Sequence, residues 1–347
     1  MTTLKQYRAA VAEYLTRLQF QNLQPTTLRN YSRALRLFGD FLAQNTGTTD
    51  LCEAVEAWKQ SLLLQGAQPS TVNQYLTEIS IFFDKASKRS FPKELRFPEN
   101  PVREVEAVKE IKRPYSEILT DTQIKLLYRN EPPAAQFKPT WARNWAMVML
   151  LLNEKIRNAE LLDLRLSDVD ALHHELTVRN GKGRKLRCID LCPLTEAAIS
   201  LYLESGLRPA YLSPEDYLFG TTAAHEKSAG RTAGAEKWHR GTTAWVSGIV
   251  ERTVKAVTGV ESVRSHDLRH VGSRVCLNAG ESIEQLQGEL GHSQLATTQI
   301  YSGRLQQRRR RESAQAVLQA RNAAAEQTRQ FLDKRAQREQ STKKGTA

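Results

Sequence analysis

His266-Asp267-Leu268-Arg269-His270 is the densest knot of reactive side-chain types in the chain. On a helix, residues i, i+3 and i+4 share a face, so two imidazoles and a guanidinium would be presented together. Two imidazoles one turn apart is the spacing with which helical zinc peptidases hold their metal, with Asp here where those use Glu. An arginine on the same face would repel a dication, and no motif places a third ligand. The competing chemistry is an anion site, in which Arg269 forks onto a phosphate and a histidine donates a hydrogen bond. The other candidates are scattered. Arg157 precedes Asn158-Ala159-Glu160-Leu161-Leu162, with Glu160 one turn on and able to hold it; as a bare surface pair that spacing would contribute little. Lys182 stands in Asn180-Gly181-Lys182-Gly183-Arg184, and Leu290-Gly291-His292 precedes Tyr301. Read singly, Lys182 is a solvated loop lysine and Tyr301 an ordinary core or surface tyrosine. Cys188 and Cys192, with no second pair, read as buried structural thiols, and His173-His174 as a solvated turn.

These residues need elements to hold them. Over residues 1–92 the apolar positions recur at helical spacing: Leu28, Tyr31, Leu35, Phe38 and Leu42, then Val72, Tyr75, Ile79, Phe82 and Phe83. Pro25 and Pro69 open helices, Asp50 caps another, and no strand pattern interrupts them. The prolines at 92, 98 and 101 break the helical run, and the charged stretch that follows reads as a linker. The expected division is a helical bundle over 1–105, a linker over 106–113, a second domain over 114–303 and a basic tail over 304–347. The second domain reads as mainly helical, with Trp141–Leu152 buried and helices over 243–257, 266–278 and 282–290. Two short strands, 175–179 and 185–191, flank the Gly-rich turn that carries Lys182. No internal repeat is apparent.

Composition bounds the rest. In 347 residues there are 50 Lys+Arg against 38 Asp+Glu, 40% apolar residues and four cysteines. The longest apolar run, Trp145–Leu152, is far too short to span a bilayer, and so few cysteines suit a reducing compartment better than a disulfide framework. The net charge of +12 suggests a polyanionic partner. It is unevenly placed: +4 over residues 1–113, zero over 114–303 and +8 over 304–347. Any phosphate site in the second domain must therefore be built from particular residues.

Taken in order, Arg157 with Glu160-Leu161-Leu162, Gly181-Lys182-Gly183 in a hairpin, His266-x-x-Arg269-His270, Leu290-Gly291-His292 and Tyr301 resemble the tyrosine recombinase (phage integrase) family, of the simple Xer-like two-domain type. Thr26-Thr27-Leu28-Arg29-Asn30-Tyr31 resembles that family's core-binding domain, and the likeness covers about residues 5–303. It implies a mainly α fold, with an N-terminal core-binding bundle and an α-rich catalytic domain bearing a small antiparallel sheet. It implies site-specific cutting and rejoining of double-stranded DNA through a covalent 3′-phosphotyrosine, with no metal, ATP or other cofactor. In that scheme Tyr301 is the nucleophile, Arg157 and Arg269 clamp the phosphate and Lys182 is the general acid. His266 and His292 hydrogen-bond the phosphate or move protons, and Glu160 and His270 support them. Thr27, Arg29, Arg33, Arg36, Lys85, Lys88 and Arg89 are the expected DNA-backbone contacts. The resemblance further implies a cytoplasmic, nucleoid-associated protein of a mobile element, monomer or dimer when free and a tetramer on two DNA sites, with the two domains closing as a clamp on the duplex. The long tail carries a separate expectation, that a helix within 304–340 docks on a neighbouring protomer.

Departures from the family are expected to matter. Glu154-Lys155-Ile156-Arg157 stands where the family often has Thr-Gly-x-Arg, which puts the geometry of that turn in question. The Gly/Ala-rich stretch 220–241 and the tail are longer than a minimal member needs. Two rivals keep the fold: a catalytically impaired DNA-binding protein, and a type IB topoisomerase-like enzyme that relaxes DNA without exchanging sites. A third is the zinc hydrolase through His266 and His270.

Overall fold

The computed structural model describes residues 3–21, 23–45, 50–110, 118–129, 139–179, 186–221, 238–290 and 307–344. The chain divides into two compact units, Met1–Lys112 and Arg113–Ala347. Its helices dominate, with a three-stranded antiparallel sheet and a two-stranded ribbon. Among the described residues no helix is long and apolar enough to cross a membrane.

The first unit is built on α1 (Thr3–Gln19), α2 (Pro25–Gln44), α3 (Leu51–Leu64) and α4 (Pro69–Ala86). Extended Gln24 and Gln68 lead into α2 and α4, where a proline at the first position costs no hydrogen bond and supplies a helical φ. Asp50 caps α3 by accepting from the Cys52 N–H at 2.7 Å. The apolar stripes meet in an aromatic core of Tyr7, Tyr14, Phe38, Trp58, Phe82 and Phe83. Its rings meet mostly edge to face, Tyr7 on Phe38 at 5.4 Å and Tyr14 on Phe82 at 5.3 Å between centroids. The buried Tyr7 hydroxyl donates to the Leu35 carbonyl at 2.9 Å.

The stretch read as a linker from residue 106 begins as part of this unit. The Asn73 side chain donates to the Val108 carbonyl and accepts the Val108 N–H, each at 2.8 Å. Lys59 Nζ donates to the Glu106 carbonyl at 3.2 Å. The sequence conceals this because the anchors are side-chain amides on α4 and a lysine on α3 rather than an apolar period.

In the second unit α6 (Pro139–Leu152) is the central rod, buried continuously from Trp145 to Leu152. Around it stand α5 (Asp121–Tyr128), α7 (Asn158–Asp163), α8 (Pro193–Glu204), α9 (Thr243–Thr258), α10 (Ser265–Ala279) and α11 (Ile283–Leu290). The sheet runs β1 (Val169–Asp170), β2 (Glu175–Val178), β3 (Arg187–Asp190), with Val169 opposite Leu176 and Val178 opposite Arg187. The ribbon pairs β4 (Gly220–Thr221) with β5 (His239–Arg240). Leu176, Val178 and Ile189 bury one face of the sheet.

The C-terminal tail forms α12 (Gln307–Lys344), which packs on α5, α8 and α10 of its own chain. Ala314, Val317, Ala324 and Ala325 are buried in the second unit's core, and Leu318 packs against it. The stripe consists largely of alanines, which bury little area each but let helices approach closely. Arg329 pairs with Glu196 at 3.1 Å, and the Ser313 hydroxyl donates to the Asp121 carboxylate.

Candidate active site

Arg157 sits at the N-cap of α7, extended at φ −77° and ψ 155°. Its backbone N–H donates to Glu160 Oε2 and its Nη1 to Oε1, both at 2.8 Å. Glu160 is only 2% exposed, so this is no surface pair. A second guanidinium reaches the same carboxylate: Arg187, on β3, donates Nη1 to Oε1 at 3.0 Å and Nη2 to Oε2 at 2.8 Å. Burial alone would raise the Glu160 pKa. Burial is the largest single influence, but the hydrogen bonds and charges of Arg187 and Arg157 together outweigh it and bring the carboxyl down to about 2. Arg187 is a site residue that the sequence reading missed. An arginine at the end of a four-residue strand carries no signal of what it will bond.

The turn between α6 and α7 forms despite its bulky residues. Glu154 and Lys155 are both buried. Lys155 adopts φ 53°, the left-handed conformation that a glycine takes freely. Asn153 Nδ2 donates to Thr195 Oγ1 at 3.1 Å, Glu154 Oε1 accepts the Cys192 N–H at 3.1 Å, and Lys155 Nζ donates to the Asn153 carbonyl at 3.0 Å. A cavity beside the turn is lined by Glu154, Lys155, Cys192 and Cys276 and bordered by Leu318 and Arg321 of α12. The turn also organises the second arginine. Arg269, 1% exposed, donates Nη1 to the Lys155 carbonyl and Nη2 to the Leu290 carbonyl at 2.7 Å. The close crossing of α10 on α6 requires Gly272, where a Cβ would collide with the Leu152 carbonyl.

His266 lies in the first turn of α10, and its ring meets that of His270 edge to face at 4.3 Å. His266 is exposed at the surface, yet partial desolvation of its ring pulls its pKa below the ordinary value, and the charges of Arg269 and Arg157 add to this while Asp267 opposes it. Arg157, distant in sequence, therefore acts electrostatically on His266 together with its helix neighbour Arg269. His270 is buried behind His266. Among the described residues no group of three His, Cys, Asp or Glu is arranged to hold a metal ion. Lys182, His292 and Tyr301 lie outside the described residues.

In the first unit Arg29, Arg33 and Arg36 are exposed along α2, with Thr27 half-buried near its start. Lys85, Lys88 and Arg89 are exposed at the end of α4. Arg33 lies over the Tyr75 ring at 5.8 Å, and Arg36 faces Asp40 at 3.6 Å. In the second unit His173 and His174 are exposed in their turn, as expected, and pair with Asp170 and Glu196. Cys188, expected to be buried, is exposed, because its strand position alternates to the outer face; Cys192 is half-buried.

The chain belongs to the phage integrase family, which it matches over residues 117–308, more than half its length. It is a tyrosine site-specific recombinase. It is 28% identical over 294 residues to tyrosine recombinase XerC of Thermodesulfovibrio yellowstonii, covering 84% of this chain and 90% of the relative. To tyrosine recombinase XerC of Bacillus subtilis it is 26% identical over 310 residues, covering 87% and 93%. The fold is shared with the Tn1549 transposon integrase in complex with transposon right end DNA, at TM-score 0.62 and 16% identity, over 92% of this chain and 99% of that one. It is shared too with XerH recombinase bound to a palindromic difH substrate, at TM-score 0.60 and 19% identity, over 81% and 77%.

Proposed function

We propose that this recombinase cuts each DNA strand by attack of Tyr301 Oη on the scissile phosphorus, leaving a 3′-phosphotyrosine and a free 5′-hydroxyl. Arg157 and Arg269 offset the charge that builds on the nonbridging oxygens, and His266 and His292 donate hydrogen bonds to them or carry away the proton that the Tyr301 hydroxyl loses. Lys182 gives its proton to the departing 5′-oxygen. Attack of another strand's 5′-hydroxyl reverses the step and frees the tyrosine. The phosphodiester energy is conserved in the tyrosyl ester, so the cycle needs neither ATP nor a metal. The observation that carries this reading is the pairing of Arg157 with buried Glu160 and of Arg269 with the Lys155 carbonyl, while His266 feels the charge of both arginines.

Strand exchange between two duplexes breaks four strands, and one nucleophile per strand calls for four protomers on two sites, with a monomer or dimer in free solution. The first unit and the catalytic unit would each contact the duplex. Arg29, Arg33, Arg36, Lys85, Lys88 and Arg89, with Thr27, would supply phosphate contacts that set affinity and register. We place the protein at the nucleoid and its DNA site on a mobile element, to be tested by sequencing junctions formed on DNA from its own locus.

A nicked DNA substrate that loses its 5′-fragment after cleavage tests the chemistry. The expected product is a protein–DNA adduct that survives denaturation and is absent with Tyr301→Phe. Tight DNA binding with no adduct on any DNA of the locus would leave a binding protein of the same fold. Relaxation of plasmids lacking the site would indicate a topoisomerase.

A further inference from the structure

We propose that Arg187 is a positioning residue for strand transfer: by gripping Glu160 from β3 it fixes Arg157 and preserves that arginine's pull on the scissile phosphate. The inference rests on the function proposed above. Its first support is geometric. Each Glu160 oxygen accepts two hydrogen bonds, Oε1 from Arg157 Nη1 and Arg187 Nη1, Oε2 from the Arg157 N–H and Arg187 Nη2. A carboxylate has about four lone-pair sites, so this one is full and cannot turn without breaking bonds. Arg157 itself caps a helix of only six residues. An i, i+3 pair on so short an element would hold its geometry poorly. The clamp from β3 ties it to a strand held by antiparallel pairing with β2, where Arg187 lies opposite Val178.

The second support is charge. One carboxylate facing one guanidinium would cancel it, and a neutralised Arg157 would do little for an anionic transition state. Shared between two guanidiniums, the carboxylate leaves the Arg157–Glu160–Arg187 triad at net +1. Without Arg187, Glu160 would turn wholly onto Arg157, and the site would lose field as well as rigidity.

The test uses the full chain and three versions of the nicked substrate: native, one with a methyl group replacing a charged nonbridging oxygen of the scissile phosphate, and one with sulfur replacing the bridging 5′-oxygen. The methyl version needs less from the arginines. The sulfur version leaves as a thiolate and needs no general acid. Arg187→Gln should bind DNA normally and cleave the native substrate about 100-fold more slowly, the scale of loss when a reacting group is misplaced by an ångström. The defect should shrink to within about 10-fold on the methyl substrate, as the defect of Arg157→Ala should too, and persist on the sulfur substrate. Arg187→Lys, which cannot fork, should follow the same pattern and serves if the Gln variant does not fold. Recovery on the sulfur substrate alone would assign Arg187 to the leaving group, and an equal defect on all three would make it merely structural; either result overturns the proposal. Failure of the unsubstituted protein to form any adduct would instead overturn the underlying function.

Discussion

Replacing Glu154 by glutamine should make the second unit more stable at neutral and alkaline pH. Glu154 lies buried in the turn before Arg157, with Oε1 on the Cys192 N–H at 3.1 Å. Burial pushes its carboxyl from the ordinary 4.5 up to about 7, against the opposing pull of Thr195, Lys155, the Cys192 N–H and Arg321. Between those values the folded chain holds a proton that the unfolded chain releases. The stability tied to that proton is complete below about pH 4.5 and lost as pH rises through about 7. At about 1.4 kcal/mol per pKa unit the loss comes to about 3 kcal/mol. Glutamine keeps an acceptor for the Cys192 N–H and never ionises. The variant should therefore match the parent near pH 4.5 and exceed it by about 3 kcal/mol at pH 8. Urea unfolding followed by tryptophan fluorescence across that range measures the difference, since four of the five tryptophans (141, 145, 238 and 245) lie in the second unit. Taking variant minus parent cancels every other titrating group. A difference that does not change with pH, or a variant weaker than the parent at pH 8, would show that Glu154 is ionised and bound to Lys155 and Arg321, and would refute the reasoning.

Two further outcomes follow from packing. Gly272→Ala drives a methyl group into the Leu152 carbonyl and should cost about 3 kcal/mol, read as a lowered melting temperature; an unchanged melt would mean that α10 can shift off α6 freely. Val317→Asp places a carboxylate where α12 is fully buried and should cost about 3 kcal/mol, equally at high and low protein concentration. A loss that fades as concentration rises would place α12 on a second copy of the chain.

Much of the site was legible in the sequence because local rules governed it. Glu160 lies three residues from Arg157, and a helix start makes that a contact. His266, Arg269 and His270 fall on one helix face by periodicity alone. The bundle's stripes and the prolines that open α2 and α4 are equally local. What escaped notice depends on contacts across the fold. Arg187 meets Glu160 only because β3 passes beside α7. Lys155 takes a left-handed turn that its side chain disfavours, since its carbonyl is wanted by Arg269, 114 residues away. The tail reads as polar because its buried stripe is mostly alanine, whose worth is proximity rather than area. Lys182, His292 and Tyr301 rest on the order of motifs in the chain and on the family to which it belongs.

The link from the Lys155 carbonyl to Arg269 bears on how such an enzyme could diversify. Residue 155 holds one arginine and residue 157 is the other, so the distance between the two cations is written into a single tripeptide. Surface residues that read base edges can drift while this spacing stays untouched. A lineage built this way can be retargeted without being re-optimised for catalysis, and laboratory selection for new DNA sites should leave 154–157 and 269 alone.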